Sequence, residues 1–393
     1  MASEVVVVHA NEDPPESWDA AVFLAGPLPR SVEVPSWGPQ AVAYLREQWR
    51  QDGRLVVFTP ELREGVLADY TGQVAWEHRG LNRADVILFW VPRDLVTMPA
   101  FTTNIEFGTW FDSGKIVLGA PAAAPKNEYL QELAAAAGAP VVDTLDQAVE
   151  AALGMIGGGA RRTGGERSVP LHVWRTESFQ SWHVAQRDAG NRLEDARVEW
   201  TFRVGPERGC IFYWALHVQM WVAAEERVKS NEVVISRPDT SQVVLYRRGA
   251  TLEDTTVVLV REFRSPAATK DGFVHELPGG SGTSGTPAAQ AVAEVREETG
   301  LAIAADRLRP LGSRQVAPTV IAHRAHLFAA EITADELDRL RAHQGTPHGA
   351  GGTERTWIEI STYGDLLESG LVDWSTLGMV TRALALGRTA TGT

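Results

Sequence analysis

The hydrophobic pattern of this 393-residue chain changes period part-way along, so its two parts cannot share one layered core. Up to residue 155, short apolar runs (Ala21 to Ala25, Leu55 to Thr59, Val86 to Val91, Ile116 to Leu118, Val141 to Val142) alternate with helical patterns such as Gln40 to Gln51 and Glu128 to Ala137. That order predicts an α/β domain, a parallel sheet covered by helices, with ligand sites beyond the carboxyl ends of the strands. Near-continuous runs such as DVILFWV (Asp85 to Val91) suit strands buried on both faces. After residue 168 strict alternation takes over. Val198, Trp200, Phe202 and Val204 oppose Arg197, Glu199, Thr201 and Arg203, which predicts a half-buried strand. Strands at Val233 to Ser236, Val243 to Arg247, Thr256 to Arg261 and His326 to Glu331 follow, with helices at Pro287 to Glu298, Ala334 to Ala342 and Ser375 to Leu386. This second part reads as α+β and mostly antiparallel.

Between the two patterns, Gly154 to Ser168 carries six glycines in fifteen positions, the composition of a flexible linker. We therefore expect a domain over 1–155, a linker over 156–168, a β-rich lead-in or dimerisation segment over 169–230, and a second domain over 231–393. Charge separates the halves as well. Residues 1–155 hold 10 basic and 21 acidic side chains, the remainder 27 and 29. The net charge of −13 argues against a polymeric nucleic acid, whose phosphates need clustered Lys and Arg. The only cysteine, Cys210, forms no intrachain disulfide, and Met1 to Glu16 lacks the basic and long apolar regions of a secretion signal. A cytoplasmic protein is expected. Gly209 to Ala224 is too short and polar for a membrane span.

In the second half, Thr286 can cap a helix, Pro287 suits its first turn and Gly300 its left-handed stop. On that helix Glu294, Glu297 and Glu298 fall within about one third of the circumference. Such a face is either a solvated acidic stripe or a carboxylate ladder for a hard divalent cation. The segment Gly279 to Leu301, led by ELPGG (Glu276 to Gly280), resembles a Nudix box, with Gly285 and Ala293 at the two positions where the family carries a Glu and an Arg that pair with each other. The resemblance spans about 230–385. It implies Mg²⁺ or Mn²⁺ on Glu294, Glu297 and Glu298, Glu298 serving in catalysis, and cleavage of a pyrophosphate-linked nucleotide. VLVREFRSP (Val258 to Pro266) is similar to the ADP-ribose pyrophosphatase branch, which puts Arg264 and Glu276 near substrate. Glu354, in a late loop, is the candidate base. Members of that branch often exchange segments like 169–230, which implies a homodimer.

In the first half, Glu106 lies in NIEFG (Asn104 to Gly108), which we place at the mouth of a helix whose amides would keep its carboxylate ionised, and Glu77 lies eight residues before Asp85. With VFLAGP (Val22 to Pro27) and FTPE (Phe58 to Glu61), these segments resemble the nucleoside 2-deoxyribosyltransferase-like family over about 18–152, a flavodoxin or Rossmann-like fold. The resemblance makes Glu106 the nucleophile at the anomeric carbon and Glu77 the acid/base. It places Gly26, Pro27, Asp85 and Asp94 at substrate. The extra residues LVTMPAF (Leu95 to Phe101) depart from the family's loop. An oxocarbenium-like transition state needs this pairing, one carboxylate to capture the sugar and one acid for the departing base.

Together the resemblances imply a bifunctional enzyme for small nucleotides. The second half would split ADP-ribose, NAD or a derivative, and the first would cleave or transfer the N-glycosidic bond of the product. Two other expectations are one catalytic half regulated by a nucleotide-binding half, and a tailoring enzyme of specialised metabolism.

Overall fold

The computed structural model describes residues 3–31, 33–63, 70–205, 209–282, 285–349 and 354–386. The chain divides into two compact units, 1–236 and 237–393. The first runs β1 (Ser3–His9), β2 (Ser17–Trp18), β3 (Ala20–Ala25), α1 (Gly38–Gln48), β4 (Gly53–Thr59), α2 (Tyr70–Arg83), β5 (Val86–Trp90), α3 (Phe101–Trp110), β6 (Ile116–Gly119), α4 (Glu128–Ala136), β7 (Val141–Val142) and α5 (Leu145–Ile156). It continues through β8 (Arg162–Thr163), α6 (Leu171–Trp174), α7 (Glu177–Asp188), β9 (Arg192–Val204), β10 (Cys210–Val222) and β11 (Arg227–Ser236).

The six-stranded sheet has the order β1-β4-β3-β5-β6-β7 and every pair is parallel. Successive residues face opposite layers, so each strand feeds two cores. Phe23, Phe58, Ile87 and Phe89 pack with Trp76 and Leu81 of α2, Phe107 of α3 and Leu130 of α4. Val22, Leu24, Val57 and Leu88 pack against Leu45 of α1 and Val149 of α5. The run Val5 to Val8 supplies the edge strand β1. Trp18, Trp37, Trp76 and Trp90 are buried in these cores.

The glycine-rich stretch is not a free linker. Ser17 and Trp18 pair with Thr163 and Arg162, and the Arg162 side chain is wholly buried. Its guanidinium meets both oxygens of Asp85, Nη1 to Oδ1 at 2.7 Å and Nη2 to Oδ2 at 2.6 Å. A buried guanidinium facing a buried carboxylate is a costly arrangement unless every lone pair is met. Here Asp85 also accepts from the amides of Ala21 at 2.7 Å and Leu171 at 2.8 Å. The segment therefore clasps the sheet. Residues 169–230 likewise differ from expectation, since helices α6 and α7 come first and the antiparallel sheet β11-β10-β9 belongs to the first unit. Its core is Phe179, Trp214, Leu216 and Val218, while Trp200 and Phe202 stay about half exposed, so the outer part of β9 is not the half-buried strand its alternation suggests.

The second unit runs β12 (Thr240–Arg247), β13 (Thr256–Phe263), β14 (Phe273–Glu276), β15 (Gly279–Ser281), α8 (Pro287–Thr299), β16 (Arg309–Gln315), β17 (Arg324–Glu331), α9 (Ala334–Ala342), β18 (Pro347–His348), β19 (Thr356–Thr362), α10 (Tyr363–Ser369) and α11 (Trp374–Leu386). Its sheet has the order β16-β17-β12-β13-β19-β18, antiparallel except for β12 with β17. Val295 of α8 and Leu337 of α9 cover one face, Leu366 of α10 and Val380 of α11 the other. No helix among the described residues is long and apolar enough to cross a membrane.

Candidate active site

In the parallel sheet the chain steps from β3 outward to β4, then returns past β3 to β5 and continues the other way. Loops leaving the carboxyl ends of β3 and β5 thus part in opposite directions and open a crevice there. Gly26, directly after β3, lies so close to β5 that a Cβ on it would sit 2.2 Å from the Trp90 carbonyl oxygen. Trp37 Nε1 donates to the Pro27 carbonyl at 3.0 Å, holding the turn beside the start of α1.

Three acids come from the flanking elements. Glu61, after β4, accepts a short hydrogen bond from Ser36 Oγ, which itself accepts from the Gly38 amide at 3.1 Å. That places its carboxylate at the N-terminus of α1, where the helix dipole favours negative charge. Glu77 projects from α2, and Gln73 one turn earlier donates to its Oε1 at 2.8 Å and to the Pro60 carbonyl at 3.4 Å. Burial raises the Glu77 carboxyl above its ordinary value against that hydrogen bond. Glu106 projects from α3, half buried. Burial first, and then the charge of Glu77, push its carboxyl up to about 7. The two acids, 29 positions apart, therefore feel one another directly, and Glu106 holds its proton close to neutral pH.

This differs from the expected environment of Glu106. It is the sixth residue of the ten in α3, past the reach of the helix N-terminus, and its carboxyl is raised, not held ionised. What the N-terminus of α3 carries instead is strain and a clamp. Ala100, the N-cap, is a non-glycine residue at φ 61°. Buried Arg93 holds it by donating to the Pro99 carbonyl at 3.0 Å, to Asn104 Oδ1 at 2.7 Å and to Asn127 Oδ1 at 3.0 Å.

Two expected substrate residues have other work. Asp85 lies at the amino end of β5, away from the crevice, and both its oxygens are taken by Arg162 and two amides. Asp94 is exposed and turns back on its own loop, Oδ1 accepting from Thr97 N at 2.7 Å, Thr97 Oγ1 at 2.8 Å and Val96 N at 3.0 Å. Glu61, Gln73 and Arg93 were not singled out from the sequence. Glu61 stood in plain view in FTPE, whereas Arg93 carries no local signal of burial.

In the second unit, Thr286 caps α8 by accepting from Ala289 N at 3.2 Å and Gly300 ends it at φ 69°. Glu298 is buried and accepts from the Gly279 amide at 2.8 Å, while Glu294 is half buried and Glu297 exposed. Gly280 leaves room for Glu294, whose carboxylate would lie 2.3 Å from a Cβ there. Burial, then the charges of Glu294, Glu276 and Glu262, push the Glu298 carboxyl up to about 9 despite the Gly279 amide. Glu262, buried on β13 and absent from the sequence reading, is pushed up to about 7 by burial, with Arg264 opposing and Glu276 and Glu354 adding to the rise. Arg264 Nη2 lies 2.8 Å from Glu262 and its Nε 3.9 Å from Glu276. Arg261 is placed apart, over the rings of Phe273 and Trp357. Among the described residues no three His, Cys, Asp or Glu side chains converge closely enough to hold a metal ion.

No curated protein matches the chain. Residues 19–124 match the family model described as nucleoside 2-deoxyribosyltransferase like, a span that runs from β3 through β6 and contains Gly26, Glu61, Glu77 and Glu106. Nothing identifies the second unit as Nudix. The parallel sheet of the first unit fits the deoxyribosyltransferase-like fold, and that domain supports an enzyme acting on nucleotides by glycosyl transfer or glycosidic cleavage.

Proposed function

We propose that the first unit breaks the N-glycosidic bond of a nucleoside monophosphate through a covalent glycosyl-enzyme. The observation that carries this reading is the meeting of Glu77 and Glu106 at the sheet's switch point, each with a raised carboxyl. Such a pair shares one proton, and the reactive form is the one that carries it on Glu77 and leaves Glu106 as the carboxylate. The Glu106 carboxylate attacks the anomeric carbon as the C–N bond breaks, and Glu77 gives its proton to the departing base. Glu77 then takes a proton from water, or from an acceptor base, which attacks the same carbon and restores the Glu106 carboxylate. Gln73 fixes the orientation of Glu77, and the Arg93 clamp fixes α3. The test is incubation of the full chain with nucleoside and deoxynucleoside monophosphates and chromatography of the bases released. Glu106→Gln abolishes release, and Glu77→Gln slows it by roughly 10²- to 10⁴-fold. Release that survives Glu106→Gln overturns the assignment.

For the second unit we propose Nudix-type cleavage of a pyrophosphate-linked nucleotide such as ADP-ribose or NAD. Glu294, Glu297 and Glu298 suit a hard cation by donor chemistry and would hold Mg²⁺ or Mn²⁺, which would supply charge neutralisation for the pyrophosphate. Arg264 and Glu276 would face the substrate and Glu354 would serve as base. Mg²⁺-dependent release of AMP that is lost in Glu298→Gln supports this. AMP release indifferent to that change, or none at all, overturns it.

A further inference from the structure

At the end of the sheet opposite Gly26 and Trp90, the last turns of α2 face strands β9 and β10 across a cleft. It consists of two adjoining cavities of about 340 and 470 Å³ that share His78, Asn82 and Arg197. The smaller is lined by Arg79, Arg83 and His217, the larger by Trp110, His172 and Trp200. One end of the cleft is cationic and the other aromatic.

Each end has unmet capacity. Both ring nitrogens of His172 are buried without a hydrogen-bond partner among the described residues. Burial, with Lys115, Arg203 and Arg162 nearby, pushes this imidazole down to about 3, so it is neutral and presents one donor and one acceptor. Trp200 keeps 46% of its surface exposed although Tyr213 braces its ring at 6.3 Å between centroids. At the other end Arg83 donates to Ser168 Oγ at 3.3 Å, and Glu199 holds Arg197 at 2.6 Å. Arg79 makes no ion pair or hydrogen bond among the described residues, and with Arg167 it bears on Arg83 as a like charge. Asp195, which lines the same cavity, is hydrogen-bonded by Ser168 and, with Asp13, bears on Arg83 as an opposite charge. Lys115 is spent on the carbonyls of Leu81, Asn82 and Ala84.

We infer that this cleft binds a nucleoside monophosphate as a second, non-catalytic ligand, its base against Trp200 and His172 and its phosphate toward Arg79 and Arg83. A bare inorganic anion would leave the aromatic end empty, and an apolar ligand would leave Arg79 unmet. A neutral donor–acceptor pair beside an indole face suits a heteroaromatic base, and a guanidinium fork suits phosphate. The inference does not rest on the glycosidic reading, because the groups involved are separate from Glu77 and Glu106.

The test is calorimetric titration of AMP and of CMP into the full chain carrying Glu106→Gln, with inorganic phosphate as comparison. Binding is expected to persist in that background and to weaken at least tenfold on adding Trp200→Ala or Arg79→Glu. Both are exposed positions, so a thermal melt should stay unchanged. Phosphate should bind at least tenfold more weakly than the nucleotides. No nucleotide binding, binding that neither substitution weakens, or phosphate binding as tight as nucleotide would each overturn it. Base release by Trp200→Ala alone reports on the glycosidic site separately.

Discussion

Glu106 is an ordinary helix acid by its sequence position and a half-buried one by its neighbours, and the difference is measurable. Because the Glu77 charge raises its carboxyl, Glu77→Gln should lower the Glu106 pKa from about 7, read by carbon-13 NMR of the side-chain carboxyls. A reaction that needs one acid and one carboxylate should show a bell-shaped kcat/KM profile, with its basic limb near pH 7 where the pair loses its last proton. An unaltered Glu106 titration would separate the two residues. Stability carries the same signature. A carboxyl raised from 4.5 to about 7 on folding favours the protonated native state, so this contribution is whole below about pH 4.5 and is lost as pH rises through 7. Glu106→Gln should therefore flatten that slope in urea titrations and stabilise the protein more at pH 8 than at pH 5.

At the scale of elements, the decisive object is β5 with what holds its two ends. The run VILFW announces a buried strand, and its carboxyl end feeds the crevice as expected. Its amino end is held by Asp85 and, through Asp85, by Arg162 of β8. Removing one partner leaves a buried charge uncompensated, so Arg162→Ala should cost about 3–5 kcal/mol by chemical denaturation. The pair Asp85→Asn with Arg162→Met should recover much of that loss, and a small effect of Arg162→Ala would show the clasp to be dispensable. The local signals of α8 were legible beforehand, Thr286, Pro287 and Gly300 all taking the places their chemistry dictates. The face of Glu294, Glu297 and Glu298 was legible only in part. Helix geometry puts them together, but the depth to which each is buried depends on β12, β15 and β19 packing against α8.

For the whole molecule, the glycine-rich stretch misplaces the division between units. A chain cut at residue 160 would lose Arg162, α6, α7 and the sheet β9 to β11, and should be insoluble or readily proteolysed. One ending at 236 keeps a complete unit and should remain folded by circular dichroism and retain base release. Equal solubility of the two truncations would restore the shorter domain.

By itself, the sequence determined the parallel sheet, its helical layers, the helix carrying Glu298 and the candidate acids Glu77 and Glu106, because period, caps and short motifs act over a few residues. Tertiary structure alone decided that Asp85 is a clasp, that Asp94 serves its own loop, that Glu61 meets Ser36 at the start of α1, that Arg93 clamps α3, that Glu262 pairs with Arg264, and that a glycine-rich segment is built into the fold. Those outcomes follow from burial and from partners tens of residues away. Arg162 pairs across 77 positions and Arg93 with Asn127 across 34, and no local pattern encodes such meetings.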